Sequence, residues 1–254
     1  MALPPFARTL VRWTAPGLLA GLSLLQASEP DARIVAAARA THNFQTYLLD
    51  DKINIVAKNG SVTLTGQVRN ECHRALAEET VAGLPGVKGV NNQLNLLEPP
   101  GAVAPDPALR AKVQTALRFH RQLGTVYPGI DVAKGVVTLT GVAVNARQKQ
   151  LVARYVQGLD GVDRVVNDLS VGVPRRPRKA GRKKIDDASL TAQARLALRF
   201  TKATRAIQTQ VVTENGVVQV SGAARSREER EQVTRAVQII DGIKAVRNRM
   251  TVEG

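Results

Sequence analysis

The chain has 254 residues, a net charge of +15 and only 3% aromatic residues. That length allows one large domain or several small ones, and the scarcity of aromatics leaves the core to Val, Leu, Ile and Ala and offers little for stacking nucleic-acid bases. The single cysteine, Cys72, excludes an internal disulfide.

Residues 1–28 precede any repeated pattern. Arg8 and Arg12 open an acid-free stretch, followed by the apolar run Ala15 to Leu25. This run is shorter than the roughly 20 residues that span a bilayer. A charged start and a short apolar centre match a secretory signal peptide, with a weak cleavage sequence at Leu25-Gln26-Ala27. An organellar transit peptide, also basic and acid-poor, is the rival reading.

From residue 29 the chain writes one unit three times. Each copy opens on a helix-favouring, alanine-rich segment whose expected N-cap is Asp31, Asp106 or Asp187. The segment ends on Phe44, Phe119 or Phe200, read as core residues because their register repeats. Two strands follow. The second is the most regular stretch of the unit, Gly60 to Gly66, Gly135 to Gly141 and Gly216 to Gly222. Its apolar positions (Val62 and Leu64, Val137 and Leu139, Val218 and Val220) alternate with Thr, Gln or Ser, so one face is buried. Asn59-Gly60 and Asn215-Gly216 are strong hairpin-turn pairs, and Lys134-Gly135 is a weaker version, so the two strands run antiparallel.

A second helix starts at Asn70, Asn145 or Ser226, with Ser226 and Glu229 as a capping box, and ends at Gly86, Gly161 or Gly242. A last alternating strand closes each copy, with an asparagine in one register: Asn92, Asn167 and Asn248. A strand–helix–strand crossover places it parallel to the glycine-bounded strand. Shifts of 75 and then 81 residues superpose all three copies without a gap. The expected fold is α+β: three tandem small domains, each helix–strand–strand–helix–strand with two helices on one face of a three-stranded mixed sheet.

The expected boundaries are a signal peptide at 1–28, domains at 29–98, 106–172 and 185–254, a proline-rich linker at 99–105 and a basic linker at 173–184. Charge is uneven: copy one holds 7 basic and 8 acidic residues, copy two 9 and 5, copy three 11 and 8, and the basic linker 7 and none. Such a linker attracts a polyanion, whether anionic lipid, nucleic acid or an acidic surface.

The Gly-x-Val-x-Leu-x-Gly strand resembles the BON domain, as does the phrase Leu84-Pro85-Gly86-Val87-Lys88-Gly89-Val90-Asn91-Asn92, repeated at 159–167 and 240–248. That family is named for bacterial osmotically inducible periplasmic proteins and nodulation proteins. The resemblance implies a non-enzymatic, exported envelope module associated with envelope integrity, osmotic stress and contact with phospholipid. It transfers no catalytic motif. The commonest family layout has two copies, so a third copy and a basic linker are departures. The repeated glycines Gly60, Gly66, Gly86, Gly135, Gly141, Gly161, Gly216, Gly222 and Gly242 read as structural.

Other candidates fare worse. Cys72-His73 could form a nucleophile pair, but the matching positions are Arg147-Gln148 and Glu228-Glu229, so an exposed, incidental pair is expected. His42 and His120 have no ligand cluster. The expectation is therefore no enzyme, no cofactor, no metal and no small-molecule substrate. The expected partner is an anionic membrane surface, bound through Arg118, Arg121, Arg199 and Lys202 on the opening helices and Arg175, Arg176, Arg178, Lys179, Arg182, Lys183 and Lys184 in the linker. The alternatives are a periplasmic protein–protein scaffold and, disfavoured by the signal peptide and the scarce aromatics, an intracellular nucleic-acid binder.

Overall fold

The computed structural model describes residues 28–97, 106–124, 126–173 and 184–252. The segment up to residue 27, where a signal peptide is expected, the proline-rich linker and linker residues 174–183 lie outside the described residues.

Copy one contains α1 (Glu29–Ala40), α2 (His42–Thr46), β1 (Lys52–Lys58), β2 (Ser61–Val68), α3 (Glu71–Ala82) and β3 (Gly89–Leu96). Copy two contains α4 (Pro107–Phe119), β4 (Gly129–Ala133), β5 (Val136–Ala143), α5 (Ala146–Gln157) and β6 (Arg164–Val171). Copy three contains α6 (Asp187–Phe200), β7 (Thr209–Glu214), β8 (Val217–Ala224), α7 (Arg227–Gln238), β9 (Ala245–Asn248) and β10 (Thr251–Val252). In every copy the glycine-bounded strand is central. Its hairpin partner runs antiparallel and the last strand runs parallel, interrupted in copy three between β9 and β10. Both helices pack on one sheet face, where Val62, Leu64, Val137, Leu139, Val218 and Val220 are all fully buried.

The residues that repeat each hold one joint of the unit. The aspartates do not cap their own helices as expected. Ser28 caps α1 and Asp186 caps α6, while Asp106 sits at the cap position of α4 with no side-chain capping bond. The repeated carboxylate turns instead to the hairpin. Asp31 accepts from the amides of Asn59 (2.9 Å) and Gly60 (3.0 Å), Asp187 from those of Asn215 (2.6 Å) and Gly216 (2.8 Å), and Asp106 from that of Gly135 (3.0 Å). Two neighbouring N–H groups converge where both turn residues have positive φ, as at Asn59 (53°) and Gly60 (83°). A carboxylate is their best acceptor, and a charge-assisted pair outweighs a single helix-cap bond.

The last asparagine is a second staple. Its amide donates to the carbonyl of Arg74, Lys149 or Arg230 in the second helix, and its oxygen accepts from the amide two residues on. All nine repeated glycines have positive φ. At Gly66 and Gly222 sterics add to this, because a Cβ there would sit on the carbonyl oxygen of Lys52 or Gln208.

Asn70, Asn145 and Ser226 cap the second helices as expected. In the box at Ser226, Glu229 reaches back to the amide of Arg225, one residue before the cap. The opening helix of copy one does not run unbroken to Phe44. Thr41 ends α1 in extended geometry, and its hydroxyl both donates to Ala38 O (2.7 Å) and accepts from Phe44 N (3.4 Å), starting α2.

The three copies pack on one another around α6. Its Leu190, Ala194, Ala197 and Leu198 face the copy-three core, while Ala192, Leu196 and Phe200 join a core shared with copies one and two. A helix apolar on nearly all sides belongs inside, and α6 is in contact with α3, α4 and α7.

Candidate functional site

Because the repeated residues are spent on the fold, the surfaces peculiar to this chain are the joints between copies and the charges around them. Copies two and three meet reciprocally. Asp241 N donates to Phe119 O (2.9 Å) and Arg121 N to Ile239 O (2.9 Å). In the mirrored half, Asp160 N donates to Phe200 O (2.7 Å) and Lys202 N to Gly158 O (3.0 Å). The side chains follow the same symmetry. Arg121 donates to the carbonyls of Ile240 and Ile243, and Lys202 to those of Gln157 and Val162. The contact is a pseudo-two-fold pair of the kind a homodimer makes. Copy one is barred from it, since Pro85 stands where Asp160 and Asp241 donate and has no N–H.

One half of this joint holds His120 and the other Thr201. The His120 ring is buried, lies edge-on to Tyr155 at 4.8 Å and accepts at Nδ1 from Gln122 N (3.1 Å). Burial, with the neighbouring Arg121 cation, pushes its pKa down to about 4. Burial also raises the Tyr155 phenol well above its usual range.

Copy one docks on α6 through polar side chains. Fully buried Asn43 donates to Thr80 Oγ1 (2.8 Å) and accepts from Gln193 Nε2 (2.8 Å), while its backbone N–H donates to Ser189 Oγ (3.0 Å). Gln193 Oε1 is buried with no hydrogen-bond partner. Beside this network Glu79 of α3 takes two guanidinium groups of α6, Arg195 at 2.9 Å and Arg199 at 2.6 Å. A cleft of about 650 Å³ opens along the same boundary, lined by Ala40, Ala82, Gly83, Asp187, Arg195 and Val212 among others. Copy one meets copy two through Tyr47, which lies edge-on to Phe119 at 5.2 Å with the Arg118 guanidinium 5.1 Å above its ring. Burial pushes the Tyr47 phenol up to about 12.

The cations expected on the opening helices, Arg118, Arg121, Arg199 and Lys202, are all exposed, and each also meets a protein group. Arg121 and Lys202 bond carbonyls across the copy-two–copy-three joint, Arg199 pairs with Glu79, and Arg118 stacks on Tyr47. Lys184 is exposed at the entrance to α6, and the other six linker cations lie outside the described residues. Cys72 and His73 are not exposed as expected. The thiol is buried near Thr115 of copy two, and burial pushes its pKa up to about 11. His73 Nδ1 lies 2.6 Å from Asp51 Oδ2. A protonated thiol and an imidazole committed to a carboxylate make a poor nucleophile pair. Among the described residues no group of three or more His, Cys, Asp or Glu is placed to hold a metal, and no helix is long and apolar enough to cross a membrane.

Asn43, Glu79, Thr80 and Gln193 escaped the sequence reading, although a signal was present. Glu79 stands in register with Arg154 and Arg235, and Asn43 with Arg118 and Arg199.

Fold and joints together define a tandem α+β repeat protein whose copies recognise one another. The BON domain profile matches residues 30–98, 105–173 and 186–254, and the chain belongs to that family. Osmotically-inducible protein Y of Escherichia coli (strain K12) is 28% identical over 145 residues, covering 56% of this chain and 70% of its own. Among solved structures, the C-terminal domain of CdsD of Chlamydia trachomatis aligns over 80% of this chain and 90% of its own at 18% identity and TM-score 0.24. The PrgH periplasmic domain aligns over 82% and 98% at 12% identity and TM-score 0.22. Superpositions this loose carry no argument about function.

Proposed function

We propose that this chain is a non-enzymatic, exported envelope protein of the periplasm that supports osmotic tolerance by holding to anionic phospholipid. The observation that carries the reading is the charge placement: the 173–184 linker has seven cations and no acid. Each cation near an anionic leaflet contributes about 1 kcal/mol. Membership of the BON family and likeness to an osmotically inducible protein support the envelope and stress context. The helix cations contribute less in this reading than the linker, since protein acceptors already hold Arg121, Lys202 and Arg199.

Flotation with neutral and anionic vesicles, with and without the linker, tests it. Binding that needs anionic lipid and falls on linker deletion or at high salt is expected. Equal recovery with both vesicle types refutes the reading. A periplasmic scaffold is the second reading, favoured by the way the copies pack on one another around α6. A stoichiometric protein partner unaffected by lipid would select it.

A further inference from the structure

We propose that Glu79 is a built-in stand-in for a phosphate group: by holding Arg195 and Arg199, copy one masks an anion site on α6 that release of copy one opens to phospholipid headgroups. The inference rests on the lipid reading above and adds a site and its regulation.

Four observations carry it. First, the two carboxylate oxygens of Glu79 are shared between two guanidinium groups four residues apart on α6, with Oε2 on Arg195 and Oε1 on Arg199. This is the convergent arrangement that suits a phosphate oxygen pair equally well. Second, the acid comes from another copy of the unit. At the Glu79 register the other copies carry Arg154 and Arg235, so in copy one the charge is inverted toward the cationic helix. Third, the joint carries a standing cost. Ala192, Leu196 and Phe200 hold it through the shared core, but, unlike the reciprocal joint of copies two and three with its paired backbone groups, it leaves the Gln193 Oε1 acceptor unpaired. A buried acceptor without a donor favours the open state. Fourth, the cleft of about 650 Å³ reaches Arg195 from solvent. Asp186 and Asp187 also line it, but their carboxylates are turned onto donors of copy three: Asp186 on the amide and hydroxyl of Ser189, besides the amide of His42 while copy one is docked, and Asp187 on the amides of Asn215 and Gly216.

Salt and headgroup phosphate both loosen this contact, but only the phosphate surface replaces it. Salt weakens the Glu79 pairs together with any membrane attraction. A surface dense in phosphate competes for the same guanidinium groups while repelling the carboxylate, so membrane contact and release of copy one reinforce each other.

The test is flotation of the full chain with vesicles of phosphatidylglycerol and phosphatidylcholine. Glu79→Gln should raise the vesicle partition coefficient about fivefold for each guanidinium group released, and adding Arg195→Gln and Arg199→Gln should cancel the gain. A second variant asks whether copy one must move away for the gain to appear. A Cβ at Gly83 would lie 3.5 Å from Ala188 Cα, so the pair Gly83→Cys and Ala188→Cys can form a cross-joint disulfide. Oxidation should abolish the Glu79→Gln gain and reduction restore it. A Glu79→Gln chain that melts lower yet floats no better than wild type overturns the masking while leaving linker binding intact. If neither chain floats with anionic vesicles, the lipid reading itself falls. Displacement from vesicles by inorganic phosphate at constant ionic strength would assign the site to free anion and overturn the membrane assignment.

Discussion

Acidification should weaken this molecule through one imidazole. His120 lies buried in the copy-two–copy-three joint, against Tyr155 and Gln122 and beside Arg121, and its pKa is pushed down to about 4 from an ordinary 6.5. In the unfolded chain it titrates near 6.5. Between these values the unfolded state binds the extra proton, so stability falls with pH from about 6.5 and the loss is complete near 4. At about 1.4 kcal/mol per unit, the whole interval is worth on the order of 3 kcal/mol. For a chain of this size that lowers Tm by roughly 6–12 °C. Carboxylates and the net positive charge also act in this range, so the comparison must isolate His120. The pseudo-symmetry supplies the control. Thr201 occupies the mirrored position and bonds Ala197 O (2.9 Å), so His120→Thr should be accepted there. Melting curves of wild type and His120→Thr from pH 7.5 to 4 should differ most at neutral pH, where the imidazole packs without cost, and converge or cross as pH falls. Parallel pH profiles would refute the reasoning.

The remaining predictions concern the repeated residues and the joints. Asp187→Ala strands two turn amides and should cost about 2 kcal/mol, read by denaturant unfolding. Gly66→Ala, whose new Cβ meets the Lys52 carbonyl, should be far more damaging than Gly141→Ala, where the nearest atom is 3.8 Å away and only the backbone strain of about 1–2 kcal/mol remains. Asp241→Pro copies the proline of copy one and removes one of the four backbone bonds of the copy-two–copy-three joint, so it should cost about 1 kcal/mol, read by denaturant unfolding. Leu196→Ala, at 1% exposure on the face of α6 shared with the other copies, should cost about 2–5 kcal/mol.

The sequence by itself determined the unit: its elements, the antiparallel hairpin, the parallel crossover and the nine glycines. These rest on short-range chemistry that spacing exposes, namely the alternation of Val62 and Leu64, the turn pair Asn59-Gly60 and the caps at Asn70, Asn145 and Ser226. The register of Asp31 was visible too, but its role was not. A carboxylate 29 residues before a glycine reads as the cap of its own helix until the fold brings two turn amides to it. Only the tertiary structure decided what the helix cations do. Arg199 and Glu79 lie 120 residues apart in the chain, and nothing local joins them. The copy-two–copy-three joint uses positions the two copies share, Phe119 and Phe200 with Asp160 and Asp241, while departures from the repeat decide which copy takes which joint: Pro85 for an aspartate keeps copy one out of that pairing, and Asn43 and Glu79 for arginines dock it on α6. Repetition fixes how a unit folds, because every copy must satisfy the same backbone. The departures fix which copies meet and where, because a proline without an N–H or a reversed charge closes one pairing and opens another.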